Sequence, residues 1–184
     1  TLSRVGWYWG SWSPDSRMLT FMNDEFQLEN RETNLLLGNI ETGTVTRIAQ
    51  VYPQTDSWLK QAPVWFADSE RFLMIQGDST DSQIAMASVA GPAPRPQTAS
   101  NTIKSEMALS PDEELIAFVA ESGDAMDIWL FDLVTEEEIQ LSFTEHDKGS
   151  MVFSPNGEQI AFIQRNPNTD FDIMTIPVDG GQPR

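Results

Sequence analysis

Apolar residues in this chain fall into short runs bounded by turn formers, and the runs recur in a fixed order. Four of them are Leu19-Thr20-Phe21-Met22, Phe72-Leu73-Met74-Ile75, Ile116-Ala117-Phe118-Val119 and Ile160-Ala161-Phe162-Ile163. Each starts four residues after the last position of a turn signal. Those signals are Trp12-Ser13-Pro14-Asp15, Trp65-Phe66-Ala67-Asp68, Leu109-Ser110-Pro111-Asp112 and Phe153-Ser154-Pro155-Asn156. Their fourth positions are 53, 44 and 44 residues apart. A third block follows in every copy: Asn34–Ile40, Gln83–Val89, Asp127–Leu133 and Asp172–Val178. Three blocks in one order, four times over, define an internal repeat.

Each block predicts a strand, because the runs are four to seven residues long and rich in Ile, Val, Phe, Trp and Leu. Pro14, Pro111 and Pro155 preset φ in the turns, while Asp15, Asp68, Asp112 and Asn156 can bond their own backbone. Glu41-Thr42-Gly43 and Asp179-Gly180-Gly181 carry hairpin chemistry for a fourth strand, expected over Thr44–Ala49 in the first copy and Glu138–Phe143 in the third. In the second copy Pro92, Pro94 and Pro96 each remove a ladder donor, which weakens that strand. One repeat is thus a four-stranded antiparallel meander of about 44 residues. Its second strand is apolar almost throughout, which predicts burial on both faces. Small sheets stacked face to face around an axis make an all-β propeller, with Trp12 in its packed interior. No segment sustains helical apolar spacing, so helices are expected to be few or absent.

At these residues the chain resembles the WD-repeat-like β-propeller repeat of the TolB family. That pattern has an inner strand ending Trp-Ser-Pro-Asp-Gly, an Ile-Ala-Phe strand, an Asp-Ile-Trp/Tyr strand and a final Leu-Thr strand. Leu109–Phe143, with Leu141-Ser142, and Phe153–Arg184 match it closely, whereas the second copy carries Phe66-Ala67 in place of Ser-Pro. The resemblance implies one propeller region over 1–184, with blades near 5–50, 51–100, 101–145 and 146–184. Thr1–Arg4 would be an outer strand that either precedes the first blade or closes the last. Family propellers usually have six or more blades, which favours part of a larger propeller or an assembly of copies over a closed four-bladed ring. The start at Thr1 rather than Met is likewise read as a processed or excised piece. Open blade edges would then invite self-association. The resemblance also implies a periplasmic or extracellular location and a non-catalytic protein-binding role. The alternative is a gating propeller beside the separate catalytic domain of a prolyl-oligopeptidase-like or tricorn-like peptidase. Inner strands of a propeller line its axial channel, so Tyr8, Trp9, Gln61, Glu106 and Ser150 are expected at the channel mouth as the partner-binding set.

Composition narrows the chemistry. The chain has 184 residues, 28 Asp and Glu against 11 Lys and Arg, and a net charge of −17. That balance argues against nucleic acid and anionic membranes, which need clustered cations. The apolar runs are also too short for membrane insertion. Absence of cysteine excludes disulfides, thiolate zinc sites and thiol nucleophiles, and a single His146 excludes sites with several imidazoles. No Gly-x-Ser-x-Gly elbow accompanies His146, which reads as a solvated loop residue. No catalytic residue, cofactor or metal is therefore expected. Asp127 and Asp172 tempt a calcium reading but lack the loop spacing, and read instead as turn caps. From Glu106 to Glu145 there are twelve acidic residues and no basic one. Such a run is either solvated edge or a surface that steers a basic partner.

Overall fold

The computed structural model describes residues 7–26, 31–51, 61–77, 81–91, 93–100, 102–143, 145–166 and 170–184. Thr1–Arg4 and the side chains of Tyr8 and Trp9 lie outside the described residues. Among the described residues there is no helix, and the strands form four antiparallel sheets in which sequence neighbours are sheet neighbours. The first sheet holds β1 (Trp7–Trp12), β2 (Met18–Phe26), β3 (Arg31–Asn39) and β4 (Val45–Val51). The second holds β5 (Val64–Trp65), β6 (Arg71–Gly77), β7 (Ser82–Ser88) and β8 (Arg95–Pro96). The third holds β9 (Lys104–Leu109), β10 (Leu115–Ser122), β11 (Ala125–Asp132) and β12 (Glu138–Gln140). The fourth holds β13 (Lys148–Phe153), β14 (Gln159–Arg165) and β15 (Phe171–Pro177). Two compact units result: Thr1–Asn101 with the first two sheets, and Thr102–Arg184 with the last two.

The outer strands follow their local chemistry. β8 is only two residues long, as its prolines require. β12 stops at Gln140 rather than reaching Phe143, because Leu141 N and Ser142 N both turn onto the Ile128 carbonyl. In the fourth sheet, Arg184 exchanges backbone hydrogen bonds of 2.9 and 3.0 Å with Thr175. This is the pairing that Ile139 makes with Leu130 in the third.

The repeated turns are built as their residues dictate. Ser13 Oγ donates to Asp15 Oδ1 at 2.6 Å and accepts from Met18 N at 2.9 Å. Ser110 repeats this with Asp112 (2.5 Å) and Leu115 N (2.9 Å), and Ser154 with Asn156 (2.7 Å) and Gln159 N (3.0 Å). Pro14, Pro111 and Pro155 sit between each serine and its acceptor. Where Ser-Pro is missing, Asp68 accepts directly from Glu70 N and Arg71 N and pairs with the Arg71 guanidinium at 2.6 Å. The next residue is left-handed in every copy: φ is +62° at Ser16, +60° at Ser69, +63° at Glu113 and +74° at Gly157. Only the last copy places there the glycine that this conformation favours.

Each unit has its own core. In the first unit, Met22 and Leu35 of one sheet pack on Phe72, Met74, Ala85 and Ala87 of the next. In the second, Ala117, Ile128 and Leu130 pack on Phe153, Ile160, Phe162 and Ile176. Burial on both strand faces holds in β10, where Ile116 through Ala120 are all buried. It does not hold in β14, which buries only the alternate residues Ile160 and Phe162. Trp12 also departs from expectation, since it is 56 % exposed. Its pairing with Leu19 puts it on the face of the first sheet opposite Met22, away from the packed side.

Two measurements check this account. Phe162→Ala is expected to lower unfolding free energy by about 3–5 kcal/mol, and Val152→Ala, on the exposed side, by under about 0.5 kcal/mol, in urea titrations. The second concerns acid. The Ser110 hydroxyl and then the Glu114 amide bond the Asp112 carboxylate and hold its pKa below the usual range. A depressed carboxylate contributes stability above its unfolded pKa of about 4, lost as pH falls through the lower folded value. Asparagine keeps the acceptor oxygen, as at Asn156, but cannot titrate. The stability difference between wild type and Asp112→Asn should therefore be constant above about pH 5 and shrink steadily below about pH 4.

Candidate functional site

The strongest polar constellation lies between the two sheets of the second unit. Lys148 opens β13 and is buried, yet its Nζ stands 2.6 Å from Asp127 Oδ1 on β11 and donates to the His146 carbonyl at 2.7 Å. Asp127 Oδ1 also accepts from Ser142 Oγ at 2.8 Å, and Ser142 Oγ in turn accepts from Ile128 N at 2.9 Å. Gln140 Nε2 donates to Asp127 Oδ2 at 3.1 Å and to Ser122 Oγ at 3.0 Å. Asp127 is thus the acceptor that ties one sheet to the next, a role beyond the turn cap expected of it. Among the described residues no group of three His, Cys, Asp or Glu could hold a metal.

The first unit contains a neutral counterpart. Thr98 Oγ1 donates to Gln83 Oε1 at 2.8 Å and accepts from Ile84 N at 3.0 Å, which reproduces the Ser142–Asp127–Ile128 geometry with an amide. Lys104, buried at the start of β9, holds the place of Lys148 one repeat earlier. The sequence reading missed this pair. The available signal was lysine at 60, 104 and 148, a cation every 44 residues in an acidic chain.

The expected channel-mouth residues fare unequally. Glu106 on β9 and Ser150 on β13 come together: the Glu106 carboxylate accepts from Ser150 N. Ser150 is left-handed (φ +52°) in a bulge between Gly149 and Val152. A Cβ at Gly149 would lie 3.2 Å from Glu106 Oε1, so the glycine lets the carboxylate approach. Glu106 thus bonds a backbone amide of the adjacent sheet. Gln61 is half-buried ahead of β5, and Tyr8 is placed by its backbone alone, opposite Met22.

Burial of the lysines sharpens the electrostatics. Residues 102–184 carry seventeen Asp and Glu against two Lys and two Arg. Both lysines are inside, which leaves Arg165 and Arg184 as the exposed cations. Glu114, Glu121, Asp124, Glu136 and Glu137 are exposed. His146 is half-buried and anchors Lys148 through its backbone carbonyl rather than its ring.

No curated protein matches the sequence. A family model described as the TolB beta propeller domain matches residues 9–184. Among solved structures, TolB from Acinetobacter baumannii is similar over 100 % of this chain and 44 % of its own, with TM-score 0.74 and 18 % identity. A putative TolB from Agrobacterium tumefaciens is similar over 99 % of this chain and 62 % of its own, with TM-score 0.72 and 19 % identity. A puromycin-hydrolyzing peptidase of Mycobacterium tuberculosis is similar over 95 % of this chain and 27 % of its own, with TM-score 0.70 and 14 % identity. The chain thus spans less than two thirds of the length of each.

Breaking a buried ion pair from one side leaves an uncompensated charge, whereas apolar replacement of both partners is often tolerated. Lys148→Met is expected to cost about 3–5 kcal/mol in urea titrations, and Lys148→Met with Asp127→Leu to recover most of that loss.

Proposed function

Because the chain belongs to the TolB beta-propeller domain family, we propose that it is a non-catalytic binding module for a positively charged protein. The observation that carries this reading is the burial of both lysines of residues 102–184, which leaves the exposed carboxylates there without neutralising lysine. A predominantly acidic surface raises the encounter rate with a basic partner and repels acidic ones. Steering supplies rate more than affinity, so an apolar anchor belongs to the same proposal. Tyr8 and Trp9 on the first inner strand are suited to that task, since aromatic side chains dominate binding hot spots. Gln61 would add a polar contact beside them.

A second reading, an accessory propeller beside a peptidase domain, draws support from the likeness to the mycobacterial peptidase over 27 % of that protein's chain. At 14 % identity that likeness concerns the fold. A hydrolase domain within the same gene product would favour this second reading.

The primary reading is checked with a decalysine peptide as probe. At about 20 mM ionic strength, Glu121→Gln with Glu137→Gln should slow its association roughly threefold, and at about 0.5 M salt the difference should vanish. The control pair Glu41→Gln and Glu70→Gln removes the same charge from the first unit and should change the rate little. Equal losses from both pairs would show an effect of net charge alone and overturn the assignment to residues 102–184.

A further inference from the structure

The turn between β13 and β14 carries a reactive pair that its counterparts lack. Of the chain's asparagines only Asn156 is followed by glycine, and Asp15, Asp68 and Asp112 hold its position in the other copies. A glycine after asparagine has no side chain to hinder its amide nitrogen from reaching the neighbouring side-chain carbonyl. Asn156 is exposed to water, yet its side chain is held in place. Oδ1 accepts from Ser154 Oγ at 2.7 Å and from Glu158 N at 3.3 Å, while Nδ2 donates to Glu158 Oε2 at 2.7 Å. The nucleophile is held as well, since Gly157 N donates to the Ser154 carbonyl at 2.9 Å. Attack on Asn156 Cγ therefore needs the turn to open.

We propose that Asn156 is a self-modification site, losing its amide through a succinimide with Gly157 N at a rate set by opening of this turn. The reaction balances with one water. Gly157 N gives up its proton and bonds Asn156 Cγ, the Cγ–Nδ2 bond breaks, and ammonia leaves. Water then opens the ring. Addition at Cγ restores the backbone and gives aspartate, whereas addition at the main-chain carbonyl carbon routes the backbone through Cγ and gives isoaspartate. Only aspartate fits the turn, and the third sheet shows how. There Asp112 accepts from Ser110 Oγ at 2.5 Å and from Glu114 N at 3.2 Å, and Glu113 N donates to the Ser110 carbonyl at 3.0 Å. Aspartate at position 156, with Glu158 two residues on, would repeat Asp112 and Glu114. Isoaspartate inserts a methylene into the main chain and pulls these hydrogen bonds out of register. Reaction in an opened segment follows the population of the open form when closing is fast, so the turn acts as the gate.

The 184-residue protein, incubated in mildly alkaline buffer, should lose ammonia at Asn156, read by peptide mass mapping, and more slowly than in urea that unfolds it. Ser154→Ala removes one anchor of the amide and should speed the native reaction roughly fivefold. Glu158→Ala changes an exposed position and should speed it too, which covers the case of a poorly folded first variant. Gly157→Ser places there the residue that Ser16 and Ser69 carry in the same left-handed conformation, and should nearly stop the loss. The aspartyl product should match an Asn156→Asp variant in urea midpoint, whereas the isoaspartyl product should unfold at lower urea. Four outcomes would overturn the proposal: Asn156 left intact in urea, equal rates with and without urea, a native rate indifferent to both Ser154→Ala and Glu158→Ala, or an isoaspartyl protein as stable as the aspartyl one.

Discussion

The second unit depends on a buried cation meeting a buried carboxylate between two sheets. Lys148 and Asp127 are removed from water together, and an isolated charge at either position would be prohibitively costly. The pair tolerates burial because each partner has further polar contacts. The ammonium also bonds the His146 carbonyl, and the carboxylate also accepts from Ser142 and Gln140. Apolar packing alone would hold two sheets together in several slightly shifted arrangements, since dispersion is not directional. The ion pair adds direction: it works only when the start of one inner strand lies beside the start of the preceding sheet's third strand.

That requirement explains other local choices. Glu106 reaches Ser150 N across the same pair of sheets, at a bulge in β13 where Gly149 leaves room for the carboxylate. Ser142 replaces a ladder bond with its hydroxyl and thereby ends β12 early. The Ser-Pro-Asp turns hold the other ends of the inner strands, with one serine hydroxyl bridging the carboxylate and a backbone amide. Each inner strand is thus fixed at its end by the turn and, in the fourth sheet, at its start by lysine.

The same placement shapes the surface. An acidic chain with few cations puts two of them inside, one with a buried carboxylate as its partner, so the charges left exposed on residues 102–184 are carboxylates and two arginines. The link from packing to recognition is one of placement: the lysines serve the interior and are not available to screen the carboxylates outside. Glu106 runs the other way, since the carboxylate expected to face a partner is engaged within the fold.

The strands, their order within each sheet and the turns between them were legible in the sequence, because each depends on residues within a few positions of one another. Proline presets φ, the next aspartate bonds nearby amides, and an apolar run of seven residues needs a sheet. The brevity of β8 followed from prolines alone. Exposure of Trp12, one-sided burial of β14 and the partner of Asp127 were not legible, because each depends on which sheet lies against which face. Asp127 and Lys148 are 21 residues apart, and no local rule pairs them. The periodic lysines were visible as a pattern, but their meaning needed the interior: a cation in an acidic chain looks like surface until the structure shows it dry.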